Sequence, residues 1–272
     1  MRNRITHLTI AIFFTALATV IAPTLGAQPT AADKPVAVIT GSSFGLGKEL
    51  VERSVEQGWR VALVDFRPEP SEQLVAEITA SGGEAVFFDV DLSQPEQRIG
   101  LIAKVVQQYG RVDYLFNNAG YAYLATLEQM EATDAKRLFE VNYWAYADLA
   151  QQVIPVMRQQ QSGVILNVSS ILGMYPAPPG YGHYAATKHA LHGLFQTVTK
   201  EVADDNIKVF LAAPAGMKTN IGKHSVGPQS HPNAELPSHW EAPGIIADDI
   251  FMAIEGESKV FNPGAAGRKS SD

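Results

Sequence analysis

The sequence predicts an α/β fold, a doubly wound parallel sheet of about seven strands with helices on both faces. Three observations carry that expectation. From Val36 onward, short apolar runs alternate with helical patterns without a break. The apolar runs are continuous rather than alternating, as in strands buried on both faces. The first run, Val36-Ala37-Val38-Ile39, passes through a glycine-rich turn directly into a helical pattern.

Each element follows in order. The first strand covers 36–40 and its helix 46–57. A second strand at 60–64 is closed by Asp65, and a helix at 71–80 has Ser71 as N-cap and Gly82-Gly83 as its stop. The third strand is 85–88, a helix at 95–109 ends at Gly110, and the fourth strand is 112–116. A long helical pattern covers 127–158, followed by a strand at 164–168, a helix at 184–203 and a strand at 207–212. The tail offers a helix near 245–254 and a last strand near 259–261. This rhythm describes one Rossmann-like domain over 33–272. In such sheets the ligand sits beyond the carboxyl ends of the strands. The turn glycines, Asp65, Asn118, Ser170 and Pro214 all follow strand ends. The stretch 217–243 holds Pro228, Pro232, Pro237 and Pro243 and little periodicity. A long irregular segment beside a site reads as a substrate loop.

The first 32 residues stand apart. Arg2 and Arg4 precede an apolar run over 8–22, ended by Pro23 and followed by small residues to Ala32. That is the layout of a signal peptide; extended through Ala27, it is also long enough for a membrane anchor over 8–27. Location stays open between export, membrane anchoring and the cytoplasm. A net charge of −7 with scattered Lys and Arg argues against nucleic acid as a partner. The chain has no cysteine, which excludes disulfides and thiol chemistry. Its seven histidines show no metal-ligand spacing.

Glycines at 41, 45 and 47 form G-x-x-x-G-x-G between strand and helix. Backbone N–H groups and the helix dipole at such a turn favour a pyrophosphate. Gly41, Ser43, Phe44, Gly45, Leu46 and Gly47 are therefore candidate cofactor contacts. Asp65 lies 18 residues beyond Gly47, where a carboxylate accepts from a ribose 2′-OH and repels a 2′-phosphate. It favours NAD over NADP, with Arg67 as the counterargument.

With these residues on the page, the chain resembles the short-chain dehydrogenase/reductase family, single-domain branch, over about 36–261. The resemblance rests on Thr40 to Gly47, Asp89-Val90, Asn117-Asn118-Ala119-Gly120, Asn142, Ser169-Ser170 and Tyr184-Ala185-Ala186-Thr187-Lys188. It implies that Asp89 and Val90 flank the adenine, that Asn118, Ala119 and Gly120 line the cofactor cleft, and that Thr219 holds the nicotinamide carboxamide. It implies a homodimer pairing helices near 127–158 and 184–203, two of which form a tetramer. Two departures stand out. Pro214 is followed by Ala215 where the family has glycine, and Ser170 lies 14 residues before Tyr184, one more than the pattern, leaving Ser169 as its fallback.

Tyr184 is the candidate general acid/base. An unperturbed phenol titrates near ~10, too high for ready exchange at neutral pH. Lys188, at i+4 on the same helix face, is expected to lower that pKa. Ser170 would hold the substrate oxygen, and the resemblance implies that Asn142 supports Lys188 through an ordered water. Taken singly, a Tyr/Lys pair is more often an ordinary surface pair; order and co-occurrence with the glycine turn reverse that judgement. Tyr121, Tyr123, Tyr143, Trp144, Met174, Tyr175 and Tyr181 fall near these elements and suggest an apolar pocket. The function expected is interconversion of an alcohol and a carbonyl with NAD(P). The alternatives are a non-catalytic nucleotide sensor or scaffold, and an isomerase or dehydratase using bound cofactor.

Overall fold

Alternate residues of the first strand serve opposite sides of one sheet. Val36 and Val38 join a core under one helical layer, while Ala37 and Ile39 join the core under the other. The computed structural model describes residues 34–219, 225–230 and 235–264. The signal or anchor segment expected over 1–32 lies outside the described residues. Among them, no helix is long and apolar enough to cross a membrane.

Strands β1 (Val36–Thr40), β2 (Arg60–Asp65), β3 (Glu84–Asp89), β4 (Tyr114–Asn117), β5 (Gly163–Val168), β6 (Ile207–Ala212) and β7 (Val260–Phe261) form one sheet. Its order is β3-β2-β1-β4-β5-β6-β7, with every pair parallel. Helices α1 (Gly45–Glu56), α2 (Pro68–Ala80) and α8 (Pro243–Ile254) cover one face. Helices α4 (Leu101–Tyr109), α6 (Ala145–Gln160) and α7 (Gly182–Glu201) cover the other. Each fully buried Leu, Ile or Phe of these two cores contributes about 1.5–3 kcal/mol. The expected doubly wound sheet is therefore observed, with its switch point between β1 and β4.

Three helical expectations need correction. Helix α2 begins at Pro68, suited to a first helical position. Ser71 is therefore inside the helix, and its hydroxyl donates to the Arg67 carbonyl at 2.7 Å rather than capping it. The helix expected over 95–109 is broken into α3 (Pro95–Arg98) and α4 by Gly100, whose φ of +71° is left-handed. The pattern over 127–158 is a 3-10 turn at Leu127–Gln129, then α5 (Ala132–Phe139), a π-turn at Glu140–Trp144, and α6. A π-turn inserts one residue into the helical ladder, which a 3.6-residue period cannot reveal.

Candidate active site

The glycine turn is shaped by contacts that tolerate no side chain. A Cβ on Gly47 would lie 1.9 Å from the Gly41 carbonyl oxygen, and one on Gly41 would lie 2.9 Å from Ala119 Cα. Gly41 and Gly45 both have positive φ. Thr40 and Asn118 staple this turn to the end of β4. The Thr40 hydroxyl accepts from the Asn118 and Ala119 N–H groups at 2.9 and 3.0 Å. The Asn118 amide donates to the Thr40 and Gly41 carbonyls at 2.9 and 3.2 Å.

A cleft of about 680 Å³ opens over this turn. Gly41, Phe44, Gly45, Leu46 and Gly47 form its floor, and Asn118, Ala119 and Gly120 form one wall. Ser43 does not line it. Its N–H donates to Asp65 Oδ2 at 3.2 Å and its hydroxyl bonds the Ser71 hydroxyl at 2.7 Å, so it braces the turn from behind. Thr219 stands over the turn, with its Cβ 3.4 Å from where a Gly45 side chain would begin.

At one end of the cleft lies Asp65, its side chain only 1% exposed. The carboxylate accepts from the Phe66 N–H at 2.8 Å and from Arg67 Nη1 at 3.2 Å. Arg67 in turn lies over the Phe66 and Phe44 rings, 4.4 and 5.5 Å from their centroids. The wall expected from Asp89 and Val90 is shifted along the chain. Asp89 ends β3, is exposed and does not line the cleft, whereas Val90, Asp91 and Leu92 do. Successive side chains at a strand end face opposite ways, which parts Asp89 from Val90. Burial pushes the Asp91 carboxyl up, but hydrogen bonds from Ser93 and the charge of Arg137 outweigh it, leaving a net shift below the usual range.

At the other end, Tyr184 occupies the first turn of α7 and Lys188 the next, and both line the cleft while being buried. Tyr184 packs into a small cluster with Ala122, Leu124 and Leu138. The Ser170 side chain lies near enough to its hydroxyl to favour the ionised phenol. Ser170 itself is not a cleft-lining residue; it caps a short 3-10 turn at Ile171–Gly173, accepting from the Leu172 N–H at 3.1 Å. Ser169 does line the cleft, but its hydroxyl donates to the Lys188 carbonyl at 3.4 Å. Ser170 rather than Ser169 is thus the serine whose side chain acts on the Tyr184 phenol.

Asn142 sits in the π-turn, fully buried and outside the cleft lining. Its amide donates to the Tyr121 carbonyl at 3.0 Å and to Thr187 Oγ1 at 3.3 Å, and accepts from the Tyr121 N–H at 3.1 Å. A point just above Gly120 lies 3.2 Å from Asn142 Oδ1 and 3.6 Å from Lys188 Nζ, so the two groups face one space.

The charges at this end differ from the simple expectation. Burial pushes the Tyr184 phenol up to about 12, with Ser170 pulling the other way, and pushes Lys188 down to about 7. The ammonium does not override burial because it is not on the phenol oxygen. It donates to the Val168 carbonyl at 2.8 Å and lies 5.8 Å from the Tyr184 ring centroid. A stability signature follows. Between about 7 and the ordinary lysine value of 10.5, the unfolded chain binds a proton at Lys188 that the folded chain does not. Stability therefore rises with pH through that window. Tyr184 reverses the sign above 10, where the folded phenol keeps its proton. The nucleotide-free protein should gain thermal stability from pH 7 to 9.5, and a Lys188→Met variant should gain less. Parallel melting curves for the two proteins would refute the assignment.

Asp134 and Arg137 are neighbours that the sequence alone did not single out. Tyr123 donates to Asp134 Oδ2 at 2.6 Å, and both line the cleft together with Arg137. Of the expected aromatic set, Tyr121 and Tyr123 line the cleft, Tyr181 meets Tyr184 edge-on at 6.4 Å, and Met174, Tyr175 and Trp144 are exposed. Met217 and Val226 supply apolar lining instead. The described part of the 217–243 segment is strapped to the cleft wall, Val226 pairing in parallel with Tyr123. After Pro214-Ala215, glycine appears one residue on. A Cβ on Gly216 would lie 2.1 Å from the Trp240 indole, so the glycine is needed for that close approach.

Comparison with known proteins agrees with this geometry. The short chain dehydrogenase family model matches residues 35–229. The chain is 35% identical over 184 residues to the 3-oxoacyl-acyl-carrier-protein reductase FabG of Thermotoga maritima, covering 68% of this chain and 74% of that protein. It is 30% identical over 188 residues to a 3alpha-hydroxysteroid dehydrogenase of Mediterraneibacter gnavus, covering 68% and 75%. Among solved structures, a Sphingobium yanoikuyae short-chain dehydrogenase in complex with NADPH superposes with a TM-score of 0.75 at 27% identity, covering 85% and 88%. A Burkholderia phymatum short chain dehydrogenase/reductase in complex with NAD gives 0.77 at 25%, covering 87% and 91%. With its glycine turn, parallel sheet and buried Tyr184 and Lys188 in place, the chain belongs to the short-chain dehydrogenase/reductase family and is an oxidoreductase acting on CH–OH groups.

Proposed function

We propose that this chain interconverts an alcohol and a carbonyl using a nicotinamide dinucleotide, with NAD preferred over NADP. The observation that carries this reading is the single cleft that joins the glycine turn and Asp65 at one end to Tyr184 and Lys188 at the other. The turn fits a dinucleotide, since the positive φ of Gly41 and Gly45 and the close packing of Gly47 on the Gly41 carbonyl seat the N-terminus of α1 at the cleft floor, where its N–H groups favour a pyrophosphate. Asp65 would hold the adenosine ribose, Gly45 and Leu46 the pyrophosphate, and Thr219 the nicotinamide carboxamide. When bound, the cofactor supplies or accepts the hydride.

The chain's own groups manage the proton and the position. In reduction, the Tyr184 hydroxyl gives its proton to the carbonyl oxygen, and in oxidation its phenolate takes one from the alcohol. Ser170, beside Tyr184, would orient the substrate oxygen at the same point. Lys188 stabilises the phenolate left behind, and Asn142 faces the same space above Gly120. Tyr121, Tyr123, Met217 and Val226 favour a carbonyl substrate with apolar bulk. Relatives named for steroid and acyl-carrier substrates are in keeping with such bulk. Pairing through α5, α6 and α7 as a homodimer or homotetramer is part of the same proposal.

The test is to titrate the purified full chain with NADH and NADPH, then assay a panel of ketones and aldehydes. Alcohol formed in step with NADH consumed supports the reading; tight binding without turnover on any carbonyl sinks it in favour of a sensor. Cofactor choice has its own check. Asp65→Ala should weaken NADH about tenfold, the scale of a hydrogen bond to a charged group. It should also strengthen NADPH, because Arg67 is released from the 3.2 Å ion pair. An unchanged NADH-to-NADPH ratio would remove Asp65 as selector.

A further inference from the structure

Arg98 is buried to 3% exposure although it belongs to the short helix α3 on the rim of the fold. Every nitrogen of its guanidinium has a partner. Nε donates to Asp148 Oδ2 at 2.8 Å, and Nη2 to Glu140 Oε2 at 2.8 Å. Nη1 is shared between the Leu92 carbonyl at 2.6 Å and the Glu140 carbonyl at 3.3 Å. To place it there the chain gives up a continuous helix: Gly100 turns left-handed and Ile99 is left 75% exposed. Stability alone does not ask for this, since apolar residues commonly replace a buried ion pair at no cost.

What the guanidinium joins is informative. Leu92 lies in the cleft wall beside Asp91, next to the Asp65 end. The Glu140 carbonyl is the acceptor of the π-turn, taking the Ala145 N–H, and Asn142 lies inside that turn. Val141, also in the turn, lines the cleft. One side chain therefore ties the wall at the nucleotide end to the turn that aims Asn142 at the space shared with Lys188.

We infer that Arg98 is a positioning residue that sets the adenosine-side wall and the Asn142 turn in register, so that nucleotide binding and proton-transfer geometry depend on one bridge. The inference rests on the oxidoreductase reading of the cleft, but two of its tests need no turnover. Arg98→Met should lower the melting temperature, because Glu140 and Asp148 lose their cation. NADH affinity should fall about tenfold, and backbone amides 140–145 should exchange faster. With a carbonyl substrate, kcat should also fall, and Arg98→Lys should recover part of each loss. Asp148→Asn, which keeps the Leu92–Arg98–Glu140 link, should change none of them.

Unchanged NADH affinity and amide exchange in a folded Arg98→Met protein would overturn the inference. So would losses of equal size in Asp148→Asn, which would mark general packing. If Arg98→Met fails to fold, Glu140→Gln decides, because it weakens the turn side of the bridge and leaves Leu92 and Asp148 in contact. Weaker NADH binding with faster exchange at 140–145 supports the bridge, and wild-type values overturn it. Failure of the oxidoreductase reading would look different: no turnover in wild type, with the binding and exchange effects still present.

Discussion

Tyr184→Phe should lower kcat by about 10³-fold, roughly 4 kcal/mol in the barrier, while leaving NADH affinity within twofold of wild type. The substitution removes one oxygen from a ring that stays packed against Ala122, Leu124 and Leu138, so the fold has no reason to respond. Single-turnover rates with pre-bound NADH separate chemistry from product release. Retention of more than a tenth of wild-type kcat would show that protonation comes from another group. The neighbouring Tyr121, pushed up by burial to about 12, would then be the next to test.

Gly47→Ala should be the most damaging change at the nucleotide end. A methyl group there would sit 1.9 Å from the Gly41 carbonyl oxygen and 2.7 Å from Asn118 Nδ2, and the first of these is backbone. Relief requires the first turn of α1 to move away from the floor of the cleft, breaking the staple through Asn118. Overpacking of this kind costs about 1–3 kcal/mol in stability. The loss in NADH affinity should be larger, at least about 100-fold, or ~3 kcal/mol. Calorimetric titration on the soluble fraction measures it, and near-normal NADH binding would mean that the turn does not cradle the nucleotide.

Much of this was legible in the chain, and the reasons differ by residue. Continuous apolar runs sufficed for the strands, because strands buried on both faces have no polar alternation to mislead. Tyr184 and Lys188 were legible because four residues on a helix always share a face. Ser71 was misread because a serine before an apolar run looks like an N-cap, while Pro68 three residues earlier opens the helix. Asp89 was misplaced for a similar reason. The chain offers two aspartates two residues apart, and only the extent of β3 decides which one faces the cleft. The π-turn at Asn142, the break at Gly100 and the Tyr123–Asp134 pair depend on contacts 11 to 50 residues apart in sequence. No local pattern encodes those.

The reversal of strand order between β1 and β4 has a consequence for how this protein can change. The groups proposed to touch a reactant lie at one rim of the sheet, on loops and on the first turns of α1 and α7, while the two apolar cores lie along the strands and helices below. Val226 is exposed, so substitution there should retune which molecules are accepted with little effect on the cores, whereas Met217 packs against one core and Tyr121 against the Tyr184 cluster. Diversification of substrate range and retention of the scaffold thereby fall to residue sets that overlap only where the cleft meets a core. A library confined to that rim should yield mostly folded proteins of altered preference.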